Sequence, residues 1–441
     1  MLTPEKNAYL TRVEGDAPMG QLLRRYWQPV AATAELLDQP TKAVRIFGEE
    51  LVLFRTLDGE FGLTDRYCAH RGVSLVYGVP EKDGIRCGYH GWKFDTKGNC
   101  VEQPFETVVG RGFKDKVKMK SYPVQELGGL VFAYMGPEPA PLLPRWEPLV
   151  RENCVRDISI TILPCNWLQA QENSVDPVHA EWLHGYYANY LRAFQSGKMA
   201  GGTNLAKFLS GRGHVKIGFD RTEYGIVKRR VVEGGSEEDN HWRLGHPMVF
   251  PNMNHGGNPV NIDWQWRVPI DDTHTFHVFY SCYFPAPGVT APKQDVVPYV
   301  YAPEVNAKQD RDMYPSTWRD DASLNVVLQQ DILAWMSQGP VVRREKENLG
   351  ASDTGVALLR RLLEEQIDVM NRCEDPMGVI RDPAKNQNIT LEREGLDPDD
   401  DPTRSSALLP IAAGHTAAKP DIKIVLDSWK DWQEKRQTAK T

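Results

Sequence analysis

Apolar and polar positions change rhythm several times along this chain. Between residues 1 and 37, Leu10 and Val13, then Leu22, Leu23 and Tyr26, recur at helical spacings. This predicts a helical start that Pro29 ends. From 42 to 135 the pattern shortens. Apolar runs at 43–46, 51–55 and 61–64 are punctuated by Gly48, Asp58-Gly59 and Gly62, and further runs follow at 84–86, 92–95, 117–122 and 129–134. These are strand and hairpin signals, so a β-rich unit of about a hundred residues is expected. The proline-rich stretch 137–144 reads as a linker. Beyond it, strand patterns at 158–162, 215–219, 225–232, 262–268 and 275–284 alternate with helical patterns at 167–184, 322–342, 354–371 and 421–436. The acidic, turn-rich stretch 397–406 carries neither pattern. No internal repeat is evident. The expected architecture is α+β: a small β-rich domain, then a larger domain of antiparallel sheet flanked by helices.

A length of 441 residues suits two or three such units. The balance of 52 basic against 59 acidic residues gives a net charge of -7, which disfavours nucleic-acid binding by bulk charge. Seven cysteines are too few and odd in number for a disulfide scaffold. No apolar run is long enough to span a membrane, and the polar start lacks an apolar signal core. These features lead us to expect a cytoplasmic protein with neither a nucleic-acid nor a membrane partner.

Two cysteines stand out. Cys68-Ala-His70 and Cys87-Gly-Tyr-His90 fall in two loops of the β-rich unit, with sixteen residues between His70 and Cys87. Zinc knuckles pair Cys with Cys and His with His, whereas here each loop supplies one of each. That division suits a [2Fe-2S] cluster with two cysteines on one iron and two histidines on the other. A structural zinc is the competing reading. The other five cysteines show no such pairing and are expected to be ordinary thiols.

A second constellation spans 166–184, where Glu172, Asp176, His179 and His184 crowd together. His179 and His184 are five residues apart, so an ideal α-helix would turn them about 140° away from each other. They can share a metal only if the helix is broken or carries a π-bulge, and Pro177 is consistent with such an irregularity. Two histidines and one carboxylate form the facial triad of non-haem Fe(II) oxygenases. On residue type alone both Glu172 and Asp176 compete to supply that carboxylate.

Cys-x-His, sixteen residues and Cys-x-x-His resemble the Rieske iron–sulfur motif. With a larger domain following, the chain resembles the α subunits of Rieske non-haem iron oxygenases. Met19-Gly20, Arg24–Trp27 and the stretch from Gln338 to Arg361 resemble the phthalate-dioxygenase-like subgroup, which includes phenoxybenzoate dioxygenases and dehydrodivanillate-type O-demethylases. The resemblance implies a helical segment at 1–40 packed on the catalytic domain, a Rieske domain at 41–140 and a mononuclear-iron domain at 141–441. It implies cluster ligands Cys68, His70, Cys87 and His90, and Fe(II) ligands His179, His184 and Asp331. Asp310, Asp312, Asp320 and Asp321 are rivals for the last position. Asp176 is implied as a bridge from His179 to the cluster ligand His90 of a neighbouring subunit, Asn173 as a group close to the iron, and Glu172 as a packing group. It further implies one cluster and one Fe(II) per chain, O2 as co-substrate, a separate reductase with or without a ferredoxin, and a head-to-tail homotrimer or a multiple of it.

The substrate is expected to be aromatic and carboxylated, either O-demethylated or hydroxylated. In the strand pattern at 224–230, alternation sends Lys228 and Arg230 to one face and Arg229 to the other, so a cation there can meet a carboxylate. His255 is a further candidate for contacting the substrate. Two other classes compete: an electron carrier with no oxygenase activity, and a zinc-stapled binding protein.

Overall fold

The computed structural model describes residues 1–197, 213–258, 260–302, 326–394 and 419–438. The expectations for 397–406 and for Asp310, Asp312, Asp320 and Asp321 fall outside these residues.

The chain opens with two short helices, Pro4–Thr11 and Pro18–Leu23, each with proline in its first turn. Thr3 caps the first by accepting from the Lys6 N–H at 3.2 Å. The helical spacing predicted through residue 37 does not persist. Gln28–Ala32 forms a strand that pairs with Leu130–Ala133, which in turn pairs with Val124–Leu127. All five residues of Gln28–Ala32 are buried, so pairing and burial override the local spacing.

Two four-stranded antiparallel sheets follow. One joins Thr41–Ile46, Glu49–Arg55, Phe61–Asp65 and Ser121–Tyr122. The other joins Val79–Glu81, Gly84–Arg86, Lys93–Asp95 and Cys100–Glu102. Val52, Phe54, Leu75, Ile85, Trp92 and Phe94 make a separate core between them, and Cys68 and Cys87 sit in that core.

An eight-stranded sheet dominates the rest. Its order from edge to edge is His214–Arg221, Gly225–Val232, His246–Val249, Met253–Asn258, Asn261–Pro269, Thr275–Tyr283, Val155–Leu163 and Tyr299–Tyr301. Every pairing is antiparallel except the last, so the sheet is mixed. On one face Trp264 and Trp266 pack with Phe132 and Trp146. On the other, Phe279 packs with Leu328, Ile332 and Trp335 of the helix Val327–Ser337. Glu172, on the helix Trp167–Asn173, joins that region to the C-terminal half. It accepts from Arg344 at 2.7 and 3.1 Å and from Arg360 at 2.7 Å, all three being buried. None of the described helices is long and apolar enough to cross a membrane.

Candidate active site

The two cysteine loops share one backbone frame. Cys68 N–H donates to Val73 O at 2.9 Å, and Gly72 N–H donates to Cys68 O at 2.9 Å. Cys87 N–H donates to Trp92 O at 2.9 Å, and Gly91 N–H donates to Cys87 O at 3.0 Å. Gly72 and Gly91 close the loops with φ of 73° and 75°, a region that costs a side-chain-bearing residue about 1–2 kcal/mol. The loops thus present their ligands in the same way although Cys-x-His and Cys-x-x-His differ by a residue.

The His70 and His90 ring centroids lie 4.6 Å apart, and His70 stacks on Trp92 at 4.3 Å. Both cysteines are buried, His70 is half-buried and His90 is exposed. Burial pushes the Cys68 thiol up to about 11. Adjacent Cys87 adds to that rise, while the backbone N–H groups of His70 and Arg71 oppose it. His70 Nδ1 is buried with no hydrogen-bond partner. Paired thiols inside, paired imidazoles outside and an unpartnered ring nitrogen fit a [2Fe-2S] cluster ligated by two Cys and two His.

The second constellation forms where three elements meet. Asn166 caps the helix Trp167–Asn173 by accepting from the Leu168 N–H at 3.1 Å. After a turn comes the short helix His179–Glu181, and then a π-helix over Trp182–Tyr187. The π-helix is the irregularity that the five-residue spacing required. It brings the two imidazoles to 5.1 Å between centroids.

Asp331, from the helix Val327–Ser337, completes the group. Its Oδ1 lies 3.2 Å from His184 Nε2 and 3.8 Å from His179 Nε2. One ligand atom from each of the three residues lies within 4.8 Å of the others. Ligand atoms about 2.1 Å from one shared ion would stand about 3 Å apart, so the spacing fits a metal. Burial pushes the Asp331 carboxyl up, but His184 and His179 outweigh it and hold the group below its ordinary value. His184 Nδ1 lies 2.9 Å from Gln330 Oε1, so Nδ1 carries the proton and Nε2 is left for a metal. Asn173 Nδ2 donates to Asp331 Oδ1 at 3.3 Å.

Asp176 accepts from the backbone N–H of Val178 at 2.8 Å and of His179 at 3.3 Å. Its second oxygen faces His179 Nδ1 at 3.7 Å, and that nitrogen is buried without a hydrogen-bond partner. Burial pushes the Asp176 carboxyl up, but His179 and the Val178 N–H hold it below its ordinary value. Glu172, engaged by Arg344 and Arg360, leaves Asp331 as the carboxylate facing both histidines.

Sheet alternation behaves as expected at 228–230. Arg229 turns away and is bound by Asp220 and the carbonyls of Trp242 and Arg243. Arg230 donates to Glu394 at 2.6 Å. Lys228 pairs across the strands with His246 and has no ion-pair partner among the described residues. Burial lowers its ammonium to about 8, and Arg230 adds to that effect while Glu394, Asp176 and Asp331 oppose it. His255 is buried on the opposite face, its ring 4.8 Å from Trp264. The structure therefore brings Lys228 to the metal-site face and does not bring Arg229 or His255 there. Gln330 and Glu394 escape sequence reasoning. Gln330 is marked only by its place beside Asp331.

Residues 26–123 match the Rieske [2Fe-2S] domain family. The chain is 41% identical over 395 residues to the 5,5'-dehydrodivanillate O-demethylase oxygenase subunit of a Sphingobium species, covering 89% of this chain and 86% of that one. It is 35% identical to the phthalate 4,5-dioxygenase oxygenase subunit of Pseudomonas putida, covering 86% and 89%. The solved terminal oxygenase of carbazole 1,9a-dioxygenase from Novosphingobium sp. KA1 shares the fold, with a TM-score of 0.56 at 19% identity over 86% of this chain and 97% of that one. Identity at this level along most of both chains, with a Rieske domain in place, makes the chain a member of the Rieske non-haem iron oxygenases, as the oxygenase subunit of such a system.

Proposed function

We propose that this oxygenase O-demethylates a methoxylated, carboxylated aromatic compound. The observation that carries the reading is Lys228, an ammonium without an ion-pair partner among the described residues, on the face that meets the metal site. Arg230 is already neutralised by Glu394, so Lys228 remains to hold a substrate carboxylate. The Sphingobium relative, named as an O-demethylase subunit, supports the choice of reaction.

In this reading Cys68, His70, Cys87 and His90 hold the cluster, and His179, His184 and Asp331 hold the mononuclear iron. There is one of each centre per chain. Non-haem iron held there supplies O2 activation. Gln330 fixes the His184 ring, Asn173 steadies the Asp331 carboxylate, and Lys228 sets the substrate's pose. Asp176 orients His179 and links it to His90 of a neighbouring subunit in a head-to-tail trimer. The exposure of His90 and the partial exposure of Asp176 support that link. A separate reductase, with or without a ferredoxin, delivers electrons at the exposed histidine edge. The division at 1–40, 41–140 and 141–441 belongs to the same reading, as does a reducing, cytoplasmic setting for the five cysteines outside the cluster.

The test is product analysis with a panel of aromatic acids and methoxylated aromatic acids, driven by a surrogate reductase. O-demethylation yields a phenol and releases the methyl carbon as formaldehyde. A ring diol without formaldehyde would replace demethylation by dihydroxylation. Turnover confined to uncharged aromatics would remove the role of Lys228.

A further inference from the structure

Two of the five cysteines outside the cluster loops meet in the fold. Cys154 immediately precedes the strand Val155–Leu163, and Cys282 lies on its antiparallel neighbour Thr275–Tyr283. The register sets Arg156 opposite Cys282, so Cys154, two residues before Arg156, is the diagonal neighbour of Cys282. Their thiols are hydrogen-bonded to each other. Cys282 is opposite Ile262, which places it on the Trp264 face of the sheet, behind the metal site. It is fully buried, whereas Cys154 is half-buried, so the pair is reached from the Cys154 side.

The surroundings favour a thiolate on Cys154. The hydrogen bond from Cys282 lowers the Cys154 thiol to about 7; burial opposes this, and Arg156 and Arg151 assist it. The same hydrogen bond, together with burial, pushes the Cys282 thiol well above its ordinary value. Both arginines are held in place. Arg156 Nε donates to Pro148 O at 2.9 Å, and the Arg151 guanidinium lies 4.2 Å from the Phe284 ring centroid. As a thiol, Cys154 donates to Arg151 O at 3.2 Å, but Arg156 Nη2 donates to that carbonyl as well. Loss of the Cys154 proton therefore leaves no carbonyl unpaired. A half-buried thiolate beside a buried thiol that still holds its proton is a nucleophile with a resolving partner.

We propose that Cys154 and Cys282 form a peroxide-reactive dithiol that closes reversibly to a disulfide. The oxidant is hydrogen peroxide, which forms whenever O2 takes up two electrons and two protons and no substrate is oxidised. The Cys154 sulfur attacks one peroxide oxygen and the O–O bond breaks. Cys154 becomes a sulfenic acid, and the departing hydroxide takes up the proton that Cys154 had lost. The Cys282 sulfur then attacks the Cys154 sulfur, the S–O bond breaks, and the hydroxide leaves as water with the Cys282 proton. In sum two thiols lose two electrons and one peroxide becomes two waters. Diagonal neighbours stand at the far limit of disulfide reach. Cys154 lies outside the ladder, which begins at Val155, so its turn supplies the movement that closure needs.

The test treats the metal-loaded oxygenase with one equivalent of hydrogen peroxide, quenches with acid, blocks free thiols with N-ethylmaleimide and maps the peptides by mass spectrometry. Cys373, an exposed cysteine, is the internal comparison. A Cys154 peptide joined to the Cys282 peptide, lighter by two hydrogens, should form about tenfold faster than Cys373 is modified. Dithiothreitol should reverse it. In Cys282→Ser, dimedone should trap Cys154 as the sulfenic acid and no joined peptide should appear. Modification of Cys373 while Cys154 and Cys282 stay free would overturn the proposal. So would sulfinic acid on wild-type Cys154 without a joined peptide, or loss of the cluster spectrum before any joined peptide forms. The wild-type map needs no variant, so misfolding of Cys282→Ser leaves the test intact.

Discussion

Asp331 Oδ1 lies 3.2 Å from His184 Nε2, although the two residues come from helices far apart in sequence. The contact joins a π-helical turn to a regular helix and leaves the Nε2 atoms of both histidines turned towards one carboxylate.

That arrangement predicts separable metal sites. Asp331→Ala should lower mononuclear iron while leaving the visible spectrum of the cluster unchanged. Metal analysis beside absorption spectroscopy checks this, and full iron content in the variant would move the ligand role to another acid.

Asp176 faces His179 Nδ1 and also accepts two backbone N–H groups. Asp176→Asn keeps the shape and removes the charge. It should retain both metals and cut the rate of electron transfer between them by a factor of ten or more. Rapid-mixing reduction followed by single turnover reads this directly, and a normal rate would reduce Asp176 to a cap on its own turn.

Lys228 predicts a pH effect on substrate binding. Its ammonium is held to about 8, so it is charged below that pH and neutral above it. KM for an aromatic acid should therefore rise as pH increases through about 8, while Lys228→Met should show a high KM with no such rise. A wild-type KM that is flat across this range would detach Lys228 from the substrate.

Glu172 predicts a stability effect away from the chemistry. Removing its carboxylate leaves the buried Arg344 and Arg360 short of a counter-ion. Glu172→Ala should lose about 3–5 kcal/mol of stability, seen as a large drop in the midpoint of denaturant unfolding. Unchanged stability would mean that Asn7 and Glu347, the other partners of these arginines, suffice.

The two Cys/His loops were legible because each carries its own local pattern, and a tight turn closed by Gly72 or Gly91 needs no distant partner. His179 and His184 were legible as a pair only on the condition of a helix defect. Their spacing demanded a helix defect, and the form it takes, a π-helix over Trp182–Tyr187, depends on the packing around it. The first helical stretch shows the opposite failure. Its spacing was helical up to Tyr26, but Gln28–Ala32 became a strand because Leu130–Ala133 pairs with it.

Lys228, Arg229 and Arg230 mark the boundary most clearly. Strand alternation by itself assigned Arg229 to one face and its neighbours to the other. It did not say which face meets the metal site, because that depends on which helix packs there. The cross-strand pairing of buried Arg267 with buried His277 lay beyond reach for the same reason. The two residues meet through the register of adjacent strands, which no local pattern announces. Local chemistry and periodicity are written in consecutive residues. The facing of side chains from distant strands and helices is set by burial and register, which only the folded chain decides.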